Sequence, residues 1–181
     1  MHELPQVLHS PPYSVWALDS PPHRGYLLTH DEDRQVLVID PGLQIDGARE
    51  FLSSRNLKLV AILLTQGGIS CVGRTASLAA RFGAPVFMHA GDLALLQSIG
   101  AQAQRRNWCE IHIPQISRLL HDGDILFSGS WTTKVFGMNS PTSGSVVYRI
   151  HDFAFHGRSS IDASHAPWII DGARTFSAIF P

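Results

Sequence analysis

Three short apolar or alternating runs open the chain, each bounded by turn chemistry. Residues 14–18, 25–29 and 35–40 read as strands, separated by Pro21-Pro22 and by the polar turn His30-Asp31-Glu32-Asp33. This spacing predicts an antiparallel meander. Pro41-Gly42 stops the third run, and residues 46–54 then place Ala48, Phe51 and Leu52 at helical intervals. Residues 59–64 are wholly apolar, as a strand buried on both faces must be. After a loop over 65–70, Val72, Ala76, Ala79 and Ala80 predict a helix over 72–82 that Gly83 ends. Residues 85–88 read as a short strand and 91–99 as a helix with Leu93, Leu96 and Ile99 on one face. The polar stretch 100–107 reads as a surface loop or frayed helix end, and strands are expected at 108–113, 124–128, 131–136, 145–150 and 153–156. Strand and helix alternate from 36 to 99, which points to α/β layers with a mainly antiparallel second half, in one domain over 1–181.

Composition narrows the function classes. The 181 residues are 44% hydrophobic and only 16% charged, the opposite of the balance that keeps a chain disordered. Lys+Arg 14 against Asp+Glu 15 leaves a net charge of −1, without the basic excess that a nucleic-acid partner requires. The longest apolar run falls far short of the ~20 residues that span a bilayer. The start, MHELPQVLHSPPY, lacks a basic segment followed by an apolar one, so no membrane association and a cytoplasmic location are expected. Cys71 and Cys109 then read as two reduced thiols. Ten histidines stand out, yet none is spaced as H-x-H, H-x₃-H or H-E-x-x-H, so they read as surface or locally hydrogen-bonded imidazoles.

Four fragments, VLVIDPG (36–42), LKLVAILLTQGG (57–68), RFGAPVFMHAGDLALL (81–96) and SGSVVY (143–148), resemble in order and spacing the metallo-β-lactamase-fold hydrolases. The likeness is to their glyoxalase II-like, or hydroxyacylglutathione hydrolase-like, thioesterase branch, and it covers residues from about 25 to 160. It implies an αββα sandwich, two mixed sheets faced by helices, with a site along one edge and a C-terminally shortened chain. It also implies one or two zinc or iron ions held by a T-H-x-H-x-D-H loop, a histidine before T-P-G-S, an aspartate in a strand-end G-D, and a last histidine. Metal-bound water of lowered pKa is the nucleophile of such sites.

Carried onto this chain, the ligand positions are replaced. Gln66, Gly68, Ser70 and Cys71 stand in the loop, Pro141 precedes the Thr142-Ser143-Gly144-Ser145 turn, and Arg158 stands for the bridging aspartate after His156. Glycine and proline bring no side-chain donor, and a guanidinium repels a cation. The expectation is therefore a pseudoenzyme without cofactor, zinc and iron lost, in which Asp40, Gln66, Gly68, Ser70, Cys71, Pro141, His156 and Arg158 line a vestigial pocket. Asp40 would orient a metal-binding histidine from behind in the family; here it is expected to pair with Arg158, or to bond Gln66 or nearby backbone. The backbone N–H groups after Gly67-Gly68, together with Arg158, suggest a small anionic ligand. A homodimer or a complex with an active paralogue is the expected partnership. The alternatives are a hydrolase using Ser70 or Cys71 with His156 as base, or one with a relocated site.

Overall fold

The computed structural model describes residues 4–20, 23–108, 111–157 and 169–171. Seven strands form a first sheet in chain order: β1 (Gln6–Ser10), β2 (Tyr13–Ser20), β3 (His23–His30), β4 (Gln35–Ile39), β5 (Lys58–Leu64), β6 (Val86–His89) and β7 (Arg118–Leu120). Pairing is antiparallel from β1 to β4 and parallel from β4 to β7. A second, antiparallel sheet holds β8 (Ile125–Ser128), β9 (Trp131–Gly137), β10 (Val146–Ile150), β11 (Phe153–His156) and β12 (Ile169–Asp171), in that spatial order.

Alternation along the strands builds two cores from the first sheet. On β4, Val36 and Val38 pack toward the helices, while Leu37 and Ile39 pack toward the second sheet. On β5, Ile62 and Leu64 face the helices, and Ala61 and Leu63 face the sheet. A period of two residues sends neighbours to opposite faces, and both faces here are covered. The helical core takes Ala48, Phe51 and Leu52 from α1 (Asp46–Ser54), Ile69 and Val72 from α2 (Ile69–Val72), and Leu78 from α3 (Thr75–Phe82). It is completed by Leu96 from α4 (Leu93–Gln97) and by Ile99 and Ala103 from α5 (Ile99–Arg105). The inter-sheet core adds Leu126, Trp131, Val135, Val146, Tyr148, Ile150, Phe153 and Phe155. Two facing sheets with helices on the first match the sandwich that the resemblance implies, except that the described pairs of the second sheet are all antiparallel where a mixed sheet was expected. None of the described residues forms a helix on the outer face of the second sheet.

Several elements differ from the pattern reading. β1 extends the meander, although its residues alternate poorly and are mostly exposed. The helix expected over 72–82 is broken at Gly73 (φ +44°), whose backbone meets that of Gly42: Gly42 N–H donates to Cys71 O (3.1 Å) and Arg74 N–H to Gly42 O (2.8 Å). A Cβ on Gly73 would overlap Gly42. The helix expected over 91–99 begins as a 3₁₀ turn, Ala90–Asp92, and α5 runs on through the supposed loop because Ala103 is buried. Among the described residues of 108–113 there is no strand. Trp108 and Ile111 pack on the helical core without pairing, and the next strand is instead β7.

Gly73 and Gly83 both take positive φ, but no atom lies within 4 Å of a Cβ placed on Gly83. Gly83→Ala should therefore cost only the left-handed penalty, roughly 1 kcal/mol. Gly73→Ala should cost several times as much in equilibrium urea unfolding, and equal costs would mean that the Gly42 contact does not constrain the break.

Candidate functional site

Strands β4, β5 and β6 run parallel, so the loops after them emerge at one rim, where α/β sheets commonly place their ligands. Asp40 follows β4, Thr65–Ser70 follows β5, and Asp92 follows β6. The second sheet reaches the same rim. Val146 N–H donates to Thr65 O at 3.1 Å. A Cβ on Gly157, just after β11, would overlap Thr65 Oγ1 and the Gln66 amide.

Asp40 is 5% exposed and takes φ +45°. Its Oδ1 accepts from Thr65 N–H at 2.8 Å and its Oδ2 from Thr65 Oγ1 at 2.5 Å. Burial raises its pKa from 3.8 to about 6, although the bonds from Thr65 and Cys71 pull it down. The expected bond to nearby backbone is thus present. The pairing with Arg158 lies outside the described residues, as does Cys109.

Cys71 is a free thiol, 1% exposed, with Sγ 4.0 Å from Thr65 Oγ1. Burial, and then the Asp40 carboxylate, push its pKa well above the ordinary thiol value. That corrects the reading of Cys71 as an activated nucleophile, which needs a thiolate near an exposed, electropositive setting. His156 is half-buried; burial lowers its pKa, and Nδ1 lies 3.3 Å from Gly157 O. Gln66 is buried beside Gly157, Gly68 precedes α2, Ser70 is half-buried, and Pro141 is exposed.

A second carboxylate, absent from the sequence reading, ties the rim together. Asp92 is 1% exposed. Its Oδ2 accepts from Gly67 N–H (2.8 Å) and Thr142 Oγ1 (2.7 Å), and its Oδ1 from Gly144 N–H (2.8 Å). One side chain therefore joins the loop after β5 to the turn between β9 and β10. Its only local signal is an acid at the start of a helix, which suits an ordinary cap; yet it makes no side-chain cap bond in α4.

These bonds bear on what the rim can hold. Gly67 N–H is spent on Asp92, and Ile69 N–H on Gln102 Oε1 (3.0 Å), so two of the donors expected for an anion are already occupied. A divalent zinc or iron needs several converging imidazole, thiolate or carboxylate donors. Among the described residues no group of three His, Cys, Asp or Glu converges. Gly68 and Pro141 bring no donor, the Cys71 thiol is held protonated, and both Asp40 oxygens are taken by Thr65. The described donor set does not fit either metal.

Two outcomes follow from the carboxylates. Between 3.8 and about 6 the folded chain holds a proton on Asp40 that the unfolded chain has released. This contribution to stability is complete below 3.8 and is lost as pH rises through 6, about 3 kcal/mol in all. Asp40→Asn, which tolerates the same φ, should flatten the stability–pH curve across that window; parallel curves for the two proteins would show that Asp40 does not titrate there. Asp92→Asn sets an amide against donors and should cost about 3 kcal/mol in denaturant unfolding. A cost under about 1 kcal/mol would show that the rim is not held by this carboxylate.

No family model matches the chain. A hydroxyacylglutathione hydrolase of Bdellovibrio bacteriovorus is 28% identical over 134 residues, 73% of this chain and 46% of that protein. The chain spans about half the length of the curated relatives it matches. Among solved structures, the B3 metallo-beta-lactamase BLEG-1 superposes with a TM-score of 0.66 at 20% identity, over 82% of this chain and 78% of that one. TTHA1623 in a di-iron-bound form gives 0.59 at 20% identity, over 96% and 83%. These likenesses establish the metallo-β-lactamase fold, and the curated relatives to which the chain is similar include hydroxyacylglutathione hydrolases, the glyoxalase II-like side of that superfamily.

Proposed function

We propose that this protein is a metallo-β-lactamase-fold pseudoenzyme: a binding, scaffolding or regulatory protein that has given up metal-dependent hydrolysis. One observation carries the reading. The two buried carboxylates at the rim, Asp40 and Asp92, are spent on Thr65 and on the Gly67–Thr142–Gly144 loops, and the described residues around them do not compose a cation site. Carboxylates that accept bonds from fixed backbone N–H groups hold loops together and are poorly placed to exchange a metal ion.

A hydrolase without the usual metal remains the competing class, with Ser70 as its nucleophile once Cys71 is set aside. Its candidate base, His156, has Nδ1 3.3 Å from the Gly157 carbonyl. Homodimerisation, pairing with an active paralogue and a cytoplasmic location belong to the proposal in the same way. No helix among the described residues is long and apolar enough to cross a membrane.

Metal content of protein purified without chelator, measured together with turnover of a hydroxyacyl glutathione thioester, separates the classes. The expected result is substoichiometric zinc and iron and no turnover above the uncatalysed rate. Stoichiometric metal with turnover would overturn the pseudoenzyme reading, and turnover that survives chelation but not Ser70→Ala would establish the metal-free hydrolase.

A further inference from the structure

At the end of the sandwich away from the rim, one phenol ring joins the two sheets. Tyr13 opens β2 and pairs with His30, the last residue of β3. Its ring meets His30 edge-on at 5.2 Å and stacks on His151 at 4.2 Å. It also contacts Trp131 at 5.5 Å and Phe153 at 6.3 Å. Tyr13 and His30 belong to the first sheet, Trp131 and Phe153 to the second, and His151 to the turn between β10 and β11. The rim lies at the other end of the same strands, where Val146 at the start of β10 donates to Thr65 O.

A polar bond accompanies the stack. His151 Nδ1 lies 3.3 Å from the Tyr13 hydroxyl. An imidazole nitrogen is more basic than a phenol oxygen, so the hydroxyl donates and Nδ1 accepts. A proton on Nδ1 removes the lone pair that accepts this bond, and the neutral ring's tie to Tyr13 is then lost. His151 is exposed, so a solvent proton reaches its ring without unfolding of the chain.

Charged groups around the cluster pull in both directions. Desolvation acts most strongly against the His151 imidazolium, the Asp152 carboxylate favours it, and His30 opposes it; the sum lowers the His151 pKa. Asp33 bears on Tyr13 and lies 3.8 Å from His30 Nδ1, which accepts from Glu32 N–H at 3.2 Å. Arg149 Nε donates to His151 O at 3.4 Å, and Lys134 shares a surface cavity with His151 and Arg149. A lowered folded pKa means that the neutral ring stabilises the fold. That contribution is whole above the ordinary value of 6.5 and is lost as pH falls below it. Asp40 acts with the opposite sign, so only a local readout isolates His151.

We propose that His151 is an acid-released latch between the two sheets: on gaining a proton it lets go of Tyr13 and loosens the β10–β11 turn from the start of β2. The rim end stays closed, because Val146 remains bonded to Thr65 and Asp92 to the turn between β9 and β10. A second tie beside the latch limits the opening: Ser130 Oγ donates to Asp33 Oδ2, and Ser130 N–H donates to Gln35 Oε1 at 3.1 Å. The latch is independent of whether the rim hydrolyses anything.

Native-state hydrogen exchange at about pH 7.5 and about pH 5.5, corrected for the intrinsic chemical rate, tests it. The expected result is several-fold more frequent opening of the Tyr13 amide and of the 150–153 turn at the lower pH, with the Val146 amide unchanged. His151→Asn keeps a residue type that tolerates the φ of +53° and has no proton to gain, so its opening should be equal at the two pH values. Proton NMR of the His151 ring needs no variant, and its titration midpoint should lie below 6.5. Equal opening of the unaltered protein at both pH values, the same acceleration in His151→Asn, or a ring midpoint at or above 6.5 would overturn the latch. Acceleration that reaches the Val146 amide would overturn it too, since the whole sandwich would then be opening in acid.

Discussion

Burial of β4 and β5 on both faces is the constraint from which the rest of the structure follows. Val36–Ile39 and Ala61–Leu64 supply apolar side chains alternately to the helical core and to the inter-sheet core. Such strands cannot expose either face without losing about 25 cal/mol for each Å² uncovered, so both the helices and the second sheet must stay in place. The parallel run also brings the ends of β4, β5 and β6 to one rim. Whatever chemistry the protein has there, the loops that carry it are positioned by this doubly covered sheet.

At that rim two buried carboxylates do structural work of different kinds. The Asp40 carboxylate accepts from Thr65 and the neighbouring thiol, in a setting so dry that its pKa rises to about 6. Asp92 gathers three donors from two loops of different sheets. An unpaired buried carboxylate is expensive, and hydrogen bonds from a fixed backbone offset part of that cost. The oxygens of both carboxylates are thereby turned inward on the protein itself.

Most strands and the order of elements were legible because their periodicity is a direct record of burial. The run at 59–64, the alternation at 131–136 and the Pro41-Gly42 stop all survive in the structure with ends shifted by a residue or so. The failures have specific causes. The break at Gly73 exists because the Gly42 backbone passes through that point, a contact 31 positions away in the chain that no helical period encodes. The Trp108–Ile111 region is apolar because it packs on helices, and an apolar stretch cannot by itself say whether it pairs. Cys71 looked like a nucleophile beside a helix start, but thiol reactivity depends on burial and on Asp40, neither of which is local.

The sequence by itself carried the likeness to the glyoxalase II-like hydrolases, because that likeness is a statement about which residue type stands at which place in a motif. Gly68 and Pro141 carry no side-chain metal donor in any conformation. Only the tertiary structure decided where the remaining polar atoms are spent. Asp92 draws Gly67, Thr142 and Gly144 together across separations of 25, 50 and 52 residues. Lys134 and Arg149 become neighbours only when β9 and β10 pair in register. Hydrogen bonding and charge opposition act over a few ångströms of space, and distances of that kind are created by folding.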